Sequence, residues 1–262
     1  MEVIIRKDYA AMSREAALIV KKELEKKPRL VLGLATGSTP VGLYKELIRM
    51  HKEEKLDFSK VVTFNLDEYV GLSPEHSQSY RYFMQENLFD HINIKPGNTH
   101  VPDGMAKNLE KHCEDYEKAI KQAGGIDLQV LGIGSDGHVA FNEPVSSLGS
   151  RTRVKTLTEG TVKDNSRFFE KMEDVPRFAI TMGVGTILEA KQLLLVANGK
   201  NKAEAIAAAV EGPICSQITS SVIQLHPLAT VVVDEEASSR LKMADYYRWV
   251  DANKSKLANR LS

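Results

Sequence analysis

At 262 residues, with 35 basic side chains balancing 35 acidic ones to a formal net charge of +0, the chain can bury a substantial core and carries no charge excess of the kind that grips nucleic acid or an anionic membrane. No apolar run approaches the roughly 20 residues of a membrane span, and residues 1–24 turn amphipathic and charged where a signal peptide would be apolar. The two cysteines, Cys113 and Cys215, form no Cys-x-x-Cys pair, so the expectation is free thiols in a cytoplasmic protein with no zinc or redox motif and no membrane or nucleic-acid partner.

Strand-like and helix-like segments alternate along the chain. RLVLGLA (29–35) reads as a buried strand halted by TGSTP. VGLYKELIRMHKEEK (41–55) has helical spacing, with Leu43, Leu47 and Met50 on one face. VVTFNL (61–66) is a second strand, and SYRYFMQENLFDHI (79–92) a helix with Phe83, Leu88 and His91 near one stripe. LEKHCEDYEKAIKQAGG (109–125) is an amphipathic helix with a Gly-Gly stop, leading into the strand IDLQVLGIG (126–134). RFAITMG (177–183) and QLLLVANG (192–199) read as strands, and NKAEAIAAAVEG (201–212) as a helix closed by Gly212. TVVVDEEA (230–237) is a last strand before a terminal helix through Tyr246 and Trp249. This order predicts one α/β domain over residues 1–262: a doubly wound, mainly parallel, Rossmann-like sheet with helices on both faces.

Ligands in such folds collect at the carboxyl ends of the strands, and three unusual segments fall there. In ATGSTP (35–40), Thr36, Gly37, Ser38 and Thr39 precede a helix. Thr39 suits the N-cap and Pro40 the first helical position, so the loop is either a phosphate cradle or an ordinary helix start. It lacks the Gly-Lys-Ser/Thr of a Walker A loop. NLDEYVGL (65–72) sets Asp67 and Glu68 side by side. Two adjacent acids are unlike a strand interior, so they are expected at the strand's end, as a catalytic base or as a cap.

The third segment, GIGSDGHVAFNEP (132–144), puts His138 between Asp136 and Glu143. An imidazole with an unperturbed pKa of about 6.5 can relay a proton near neutrality, and a carboxylate on one ring nitrogen fixes the tautomer. The same trio could ligate a metal, but one histidine with two acids is a weak metal pattern. The other histidines (His51, His76, His91, His100, His112, His226) read as structural or exposed, and no Gly-x-Ser-x-Gly elbow is present. Arg167 in NSRFF and Lys202 in NGKNKAEA are either surface charges or anion ligands. A lysine at a helix start opposes the helix dipole unless an anion joins it.

Together, LATGSTPVGLY, FNLDEYVGL, GIGSDGHVAFNEP, SRTRVKTLT, NSRFF and SSVIQLHP resemble the glucosamine-6-phosphate deaminase family, in the same order, from Leu30 to Asp234. The resemblance implies Asp67 as the base that moves a proton between C2 and C1. It implies Asp136, His138 and Glu143 as the group that opens the sugar ring, and the 36–39 loop, Arg167 and Lys202 as the phosphate ligands. It implies a small amino-sugar phosphate as substrate, yielding D-fructose 6-phosphate and ammonia in amino-sugar catabolism, with no cofactor and no metal. Hexameric members bind an acetylated sugar phosphate between subunits. Ser146, Arg153 and Lys155 match part of that effector site, whereas the tail DYYRWVDANKSKLANRLS does not clearly match, so a homo-oligomer is an open expectation. Related 6-phosphogluconolactonases follow their Asp-Gly-His with a Ser-Leu-Phe-Pro type sequence, so Asn142-Glu143-Pro144 favours the deaminase. A sugar-phosphate sensor of a regulator would need a DNA-binding segment, and none is left in the chain.

Overall fold

The computed structural model describes residues 1–261, with side chains through Lys254. In chain order the elements are β1 (Glu2–Arg6), α1 (Tyr9–Lys26), β2 (Val31–Leu34), α2 (Val41–Glu54), β3 (Val62–Asn65), β4 (Asp67–Tyr69), α3 (Tyr80–Asn87), β5 (Thr99–His100) and α4 (Leu109–Gln122). They continue with β6 (Leu128–Leu131), β7 (Arg153–Thr156), α5 (Glu159–Asn165), β8 (Phe178–Thr181), α6 (Val184–Leu188), β9 (Leu193–Ala197), α7 (Ala203–Glu211), β10 (Ala229–Asp234) and α8 (Ala244–Leu261).

Seven strands form one parallel sheet in the order β1-β10-β9-β6-β2-β3-β5. Its central strands are buried at every position and mostly apolar because both faces are covered, with Gln129 of β6 a buried polar exception. Successive residues alternate between two cores: Val231 and Val233 join Tyr116 of α4 and Ile206 of α7, while Val232 joins Met12 of α1 and Leu47 of α2. Each such side chain contributes about 1.5–3 kcal/mol on burial. Leu43, Leu47 and Met50 form the buried face of α2, as their spacing predicts.

Three readings need correction. The N-terminal stretch is not merely amphipathic: β1 pairs with β10, and Asp8 caps α1 by accepting from Ala11 N. The segment 177–183 does not join the parallel sheet. Its strand β8 is the middle of a separate antiparallel sheet, β4-β8-β7. The helix expected over 79–92 stops at Asn87, because Leu88 leaves the helical region with φ −148°, and a single 3-10 turn follows.

Candidate active site

Asp67 and Glu68 follow the carboxyl end of β3, as expected, but they also open a second strand. They are the first two residues of β4, paired with Thr181 and Ile180 of β8, and both are buried. The short antiparallel strand makes this tolerable by sending the two carboxylates to opposite faces. Glu68 accepts from the backbone N–H groups of Tyr69, Tyr80 and Arg81 at 2.8, 2.9 and 3.0 Å, so it caps α3 beside Ser79. Burial pushes Glu68 above the usual carboxylate range even though those donors pull it back. Asp67, 6% exposed, accepts no hydrogen bond among the described residues. Burial, helped by the neighbouring Glu68 charge, pushes it up to about 8. The cap and the base, open alternatives for one acidic pair, thus fall to different residues.

The loop after β6 carries the second group. His138 Nδ1 lies 2.7 Å from Asp136 Oδ1 and 3.6 Å from Glu143 Oε2. The close approach of Asp136 is not an aligned hydrogen bond, and Glu143 lies beyond hydrogen-bond distance. Burial would raise Asp136, but His138 outweighs it and holds the carboxyl below its ordinary value. Glu143 is 2% exposed and is held by Thr158 N at 3.1 Å. A Cβ on Gly134 would sit 2.6 Å from His138 Cε1, so the backbone must be bare there for the ring to fold over it. The three donor atoms lie within 4.8 Å of one another and could hold a divalent cation. One nitrogen and two carboxylates are equally the donor set of a proton relay.

The small sheet joins the two groups. Thr181, the register partner of Asp67, accepts from Phe141 N at 3.1 Å, and Phe141 packs on Tyr69 with ring centroids 5.6 Å apart. Strand β4 and the turn carrying His138 are therefore fastened to the same threonine.

The expected phosphate set converges in part. Thr39 does not cap α2: Pro40 occupies the cap position with no side-chain bond, and the Tyr9 hydroxyl accepts from Gly42 N at 2.7 Å. Tyr9 also donates to the Ser38 and Thr39 carbonyls, each at 3.1 Å. Thr39 Oγ1 instead donates to Asn198 Oδ1 at 2.9 Å, tying the 36–39 loop to the loop before Lys202. Gly37 holds φ +107°, which leaves Thr36 and Ser38 flanking a bare backbone turn. Lys202 sits at the cap of α7. Burial lowers its ammonium, Asp164 and Asp136 raise it, and Arg167 lowers it further. Arg167 stacks over the Phe168 ring at 4.6 Å. Two cations lie within electrostatic reach of each other, one of them half-buried, an arrangement that an anion would relieve.

Ser146 and Arg153 adjoin the turn that carries His138: Ser146 N donates to Glu143 O at 3.0 Å, and Arg153 is a register partner of Thr181. Arg153 and Lys155 occupy alternate positions on β7, the edge of the small sheet. Arg153 faces no carboxylate: it donates to Asn142 Oδ1 at 3.0 Å and Arg151 O at 3.3 Å, and burial lowers its pKa. Ser146 Oγ is buried with no partner. An open groove of about 1030 Å³ lies between α4 and β7, lined by Leu109, Cys113, Glu117, Arg151 and Arg153. The Asp136–His138–Glu143 group takes no part in lining it. Burial raises the pKa of the Cys113 thiol.

Sequence reasoning missed Tyr9, Asn198 and Thr219 as site residues. Each acts through a hydrogen bond to a distant loop, which no local motif records. His226, read as structural, is so: its Nε2 meets Ala190 O at 2.7 Å.

The model of the family described as glucosamine-6-phosphate isomerases/6-phosphogluconolactonase matches residues 7–237. The chain belongs to this family. Within it, a glucosamine-6-phosphate deaminase of Thermoanaerobacter pseudethanolicus is 55% identical over 245 residues, 94% of this chain and 97% of that protein. A glucosamine-6-phosphate deaminase of Shewanella woodyi is 53% identical over 262 residues, covering 100% and 99%. Among solved structures, a monomeric glucosamine-6-phosphate deaminase superposes with a TM-score of 0.90 at 44% identity, covering 92% of this chain and 100% of that one. A 6-phosphogluconolactonase from Thermotoga maritima shares the fold, with a TM-score of 0.70 at 23% identity, covering 89% and 99%. No helix among the described residues is long and apolar enough to cross a membrane.

Proposed function

We infer that the chain catalyses the isomerising deamination of D-glucosamine 6-phosphate to D-fructose 6-phosphate and ammonia. The observation that carries this reading is Asp67, a buried carboxylate free of protein hydrogen bonds, on a strand fastened to the turn that holds Asp136, His138 and Glu143. A pyranose must open before the proton at C2 becomes acidic. His138 carries the proton between the C1 hydroxyl and the ring oxygen, with Asp136 and Glu143 holding its charge. Asp67 then takes the C2 proton of the open amino aldose and returns it to C1. Water adds to the resulting C2 imine, ammonia leaves, and the ketose phosphate remains. Lys202, Arg167 and the Thr36–Thr39 loop grip the phosphate, which is far from the reacting carbons.

Ammonia release from D-glucosamine 6-phosphate by the purified protein tests the reading. It should fall by orders of magnitude in Asp67→Asn, with substrate KM little changed. Hydrolysis of a 6-phosphogluconolactone without ammonia release from the amino sugar would assign the chain to the other activity of its family.

A regulatory site is a second, finer part of the proposal. Ser146 Oγ buried without a partner and Arg153 without a carboxylate are the features of an anion site. Activity against substrate concentration is measured with and without N-acetylglucosamine 6-phosphate. A sigmoid curve made hyperbolic by that compound, and lost in Arg153→Ala, is the result expected of a coupled second site; curves that do not move remove Ser146, Arg153 and Lys155 from it. Sedimentation of the same samples reports whether that site accompanies a homo-oligomer.

A further inference from the structure

The segment leading into SSVIQLHP lies against the turn that carries His138 and Glu143, and touches it on both sides of those residues. Ser220 N donates to Gly137 O at 3.0 Å, and Val145 N donates to Ser216 O at 2.8 Å. Between these contacts Thr219, at 0% exposure, uses one hydroxyl twice. Its Oγ1 accepts from Val139 N at 3.3 Å and donates to Asn142 O at 2.9 Å. Ile218 closes the space over Gly137, where φ is +88° and a Cβ would lie 2.9 Å from Ile218 Cγ2.

This turn requires an external hold. Ala140 has φ +51° and Val145 φ +71°, in the left-handed region that residues bearing a Cβ avoid. Such conformations persist only where the surroundings over-determine them. Asn142 N closes the turn from within by donating to Val139 O at 3.1 Å. From outside, Thr181 holds Phe141 N and Thr219 holds both ends. A methyl group in place of the Thr219 hydroxyl would leave Val139 N and Asn142 O each without that partner, at a site closed to solvent.

We propose that Thr219 is a positioning residue for the ring-opening group: its hydroxyl fixes the strained Val139–Asn142 turn and thereby the 3.6 Å separation of His138 Nδ1 from Glu143 Oε2. The proposal rests on the reading of His138 and Glu143 as that group.

The test compares Thr219→Val, which keeps the shape and removes the hydroxyl, with Thr219→Ser, which keeps the hydroxyl and removes the methyl. In the valine variant kcat for D-glucosamine 6-phosphate should fall roughly tenfold or more while KM stays within about twofold, since the phosphate ligands are untouched. The serine variant should recover most of the rate. Ala140→Gly added to Thr219→Val should also recover part of it, because glycine removes the strain that the hydroxyl holds. The ring-proton titration of His138 by NMR, assigned by its loss in His138→Gln, should shift in the valine variant and return in the serine variant. A valine variant with wild-type kcat, or an unshifted His138 titration, overturns the proposal. So does a serine variant as slow as the valine one. If Thr219→Val does not fold, Thr219→Ala with and without Ala140→Gly takes its place, and equal rates in that pair overturn it. Full turnover by His138→Gln would instead remove the ring-opening reading itself, leaving the His138 titration to judge Thr219.

Discussion

Asp67 shows how one side chain is made reactive at a cost to the fold. A carboxyl pushed up to about 8 by burial binds its proton more tightly folded than unfolded. Its stabilising contribution is therefore complete below the unfolded value of about 3.9 and is lost as pH rises toward the folded value. Asp67→Asn, which cannot ionise, should raise Tm relative to wild type at pH 8 and change it little at pH 4, as scanning calorimetry at the two pH values will report. A variant less stable than wild type at pH 8 would contradict the buried, unpaired state of this carboxylate. Catalysis runs the other way. The base must be ionised, so kcat/KM of the free enzyme should climb with pH toward the same value. None of this could be read from Asp67-Glu68 as two letters, because their opposite fates follow from the two faces of a three-residue strand.

At the scale of elements, most of the main sheet was legible and the small one was not. Buried parallel strands are continuous apolar runs, and LVLGL, VVTF and TVVV announce themselves. The antiparallel sheet has strands of three and four residues. One of them contains two acids and another Arg153 and Lys155, so no apolar periodicity marks those two, whereas β8 was legible as a strand but not as part of a second sheet. The His138 turn was legible as chemistry, since few other reasons bring an imidazole and two acids together, but its restraints were not: they come from Thr181 and Thr219, 40 and 77 residues beyond Phe141 and Asn142 in the chain. The same separation of motif from support governs the phosphate end. Lys202 starts a helix, and its neighbours across the loop are Arg167 and, through Asn198, Thr39. Lys202→Ala should raise KM for the phosphorylated sugar roughly ten- to a hundredfold, as expected for loss of a charge-assisted contact of about 1.5–3 kcal/mol, with a much smaller change in kcat. Steady-state kinetics decide it; an unchanged KM takes the lysine out of the site.

Across the whole molecule, the two ends of the parallel sheet have opposite electrostatic designs. At the carboxyl ends of the strands, charge is held out of water with weak compensation: Asp67 is unpaired, and partial burial lowers Lys202 against the pull of Asp164 and Asp136. At the other end Asp127, just before β6, is buried but fully engaged. It accepts from Val31 N at 2.8 Å, Lys27 Nζ at 2.6 Å and Lys191 Nζ at 2.7 Å, joining the starts of β2, β6 and β9. Burial would raise its carboxyl, but Lys191, Lys27 and the Val31 amide overcome this and hold it below the ordinary range. The sign of its linkage is the reverse of Asp67's. A depressed carboxyl contributes stability above its unfolded value, and that contribution is lost as pH falls through the folded one. Asp127→Asn keeps an oxygen for Val31 N and loses the two ion pairs. Both lysines are about half exposed, at 47% and 58%, so solvent screens them, and the loss is expected at roughly 1–2 kcal/mol. Tm of this variant should lie below wild type at pH 7, and the gap should close as the pH falls through the depressed folded value, once the wild-type carboxyl is also neutral. Since Asp127 lies at the far end of the strands from the chemistry, kcat and KM at a temperature where both proteins are folded should match wild type. A gap in Tm that is independent of pH would mean that Asp127 acts through packing and not through its charge.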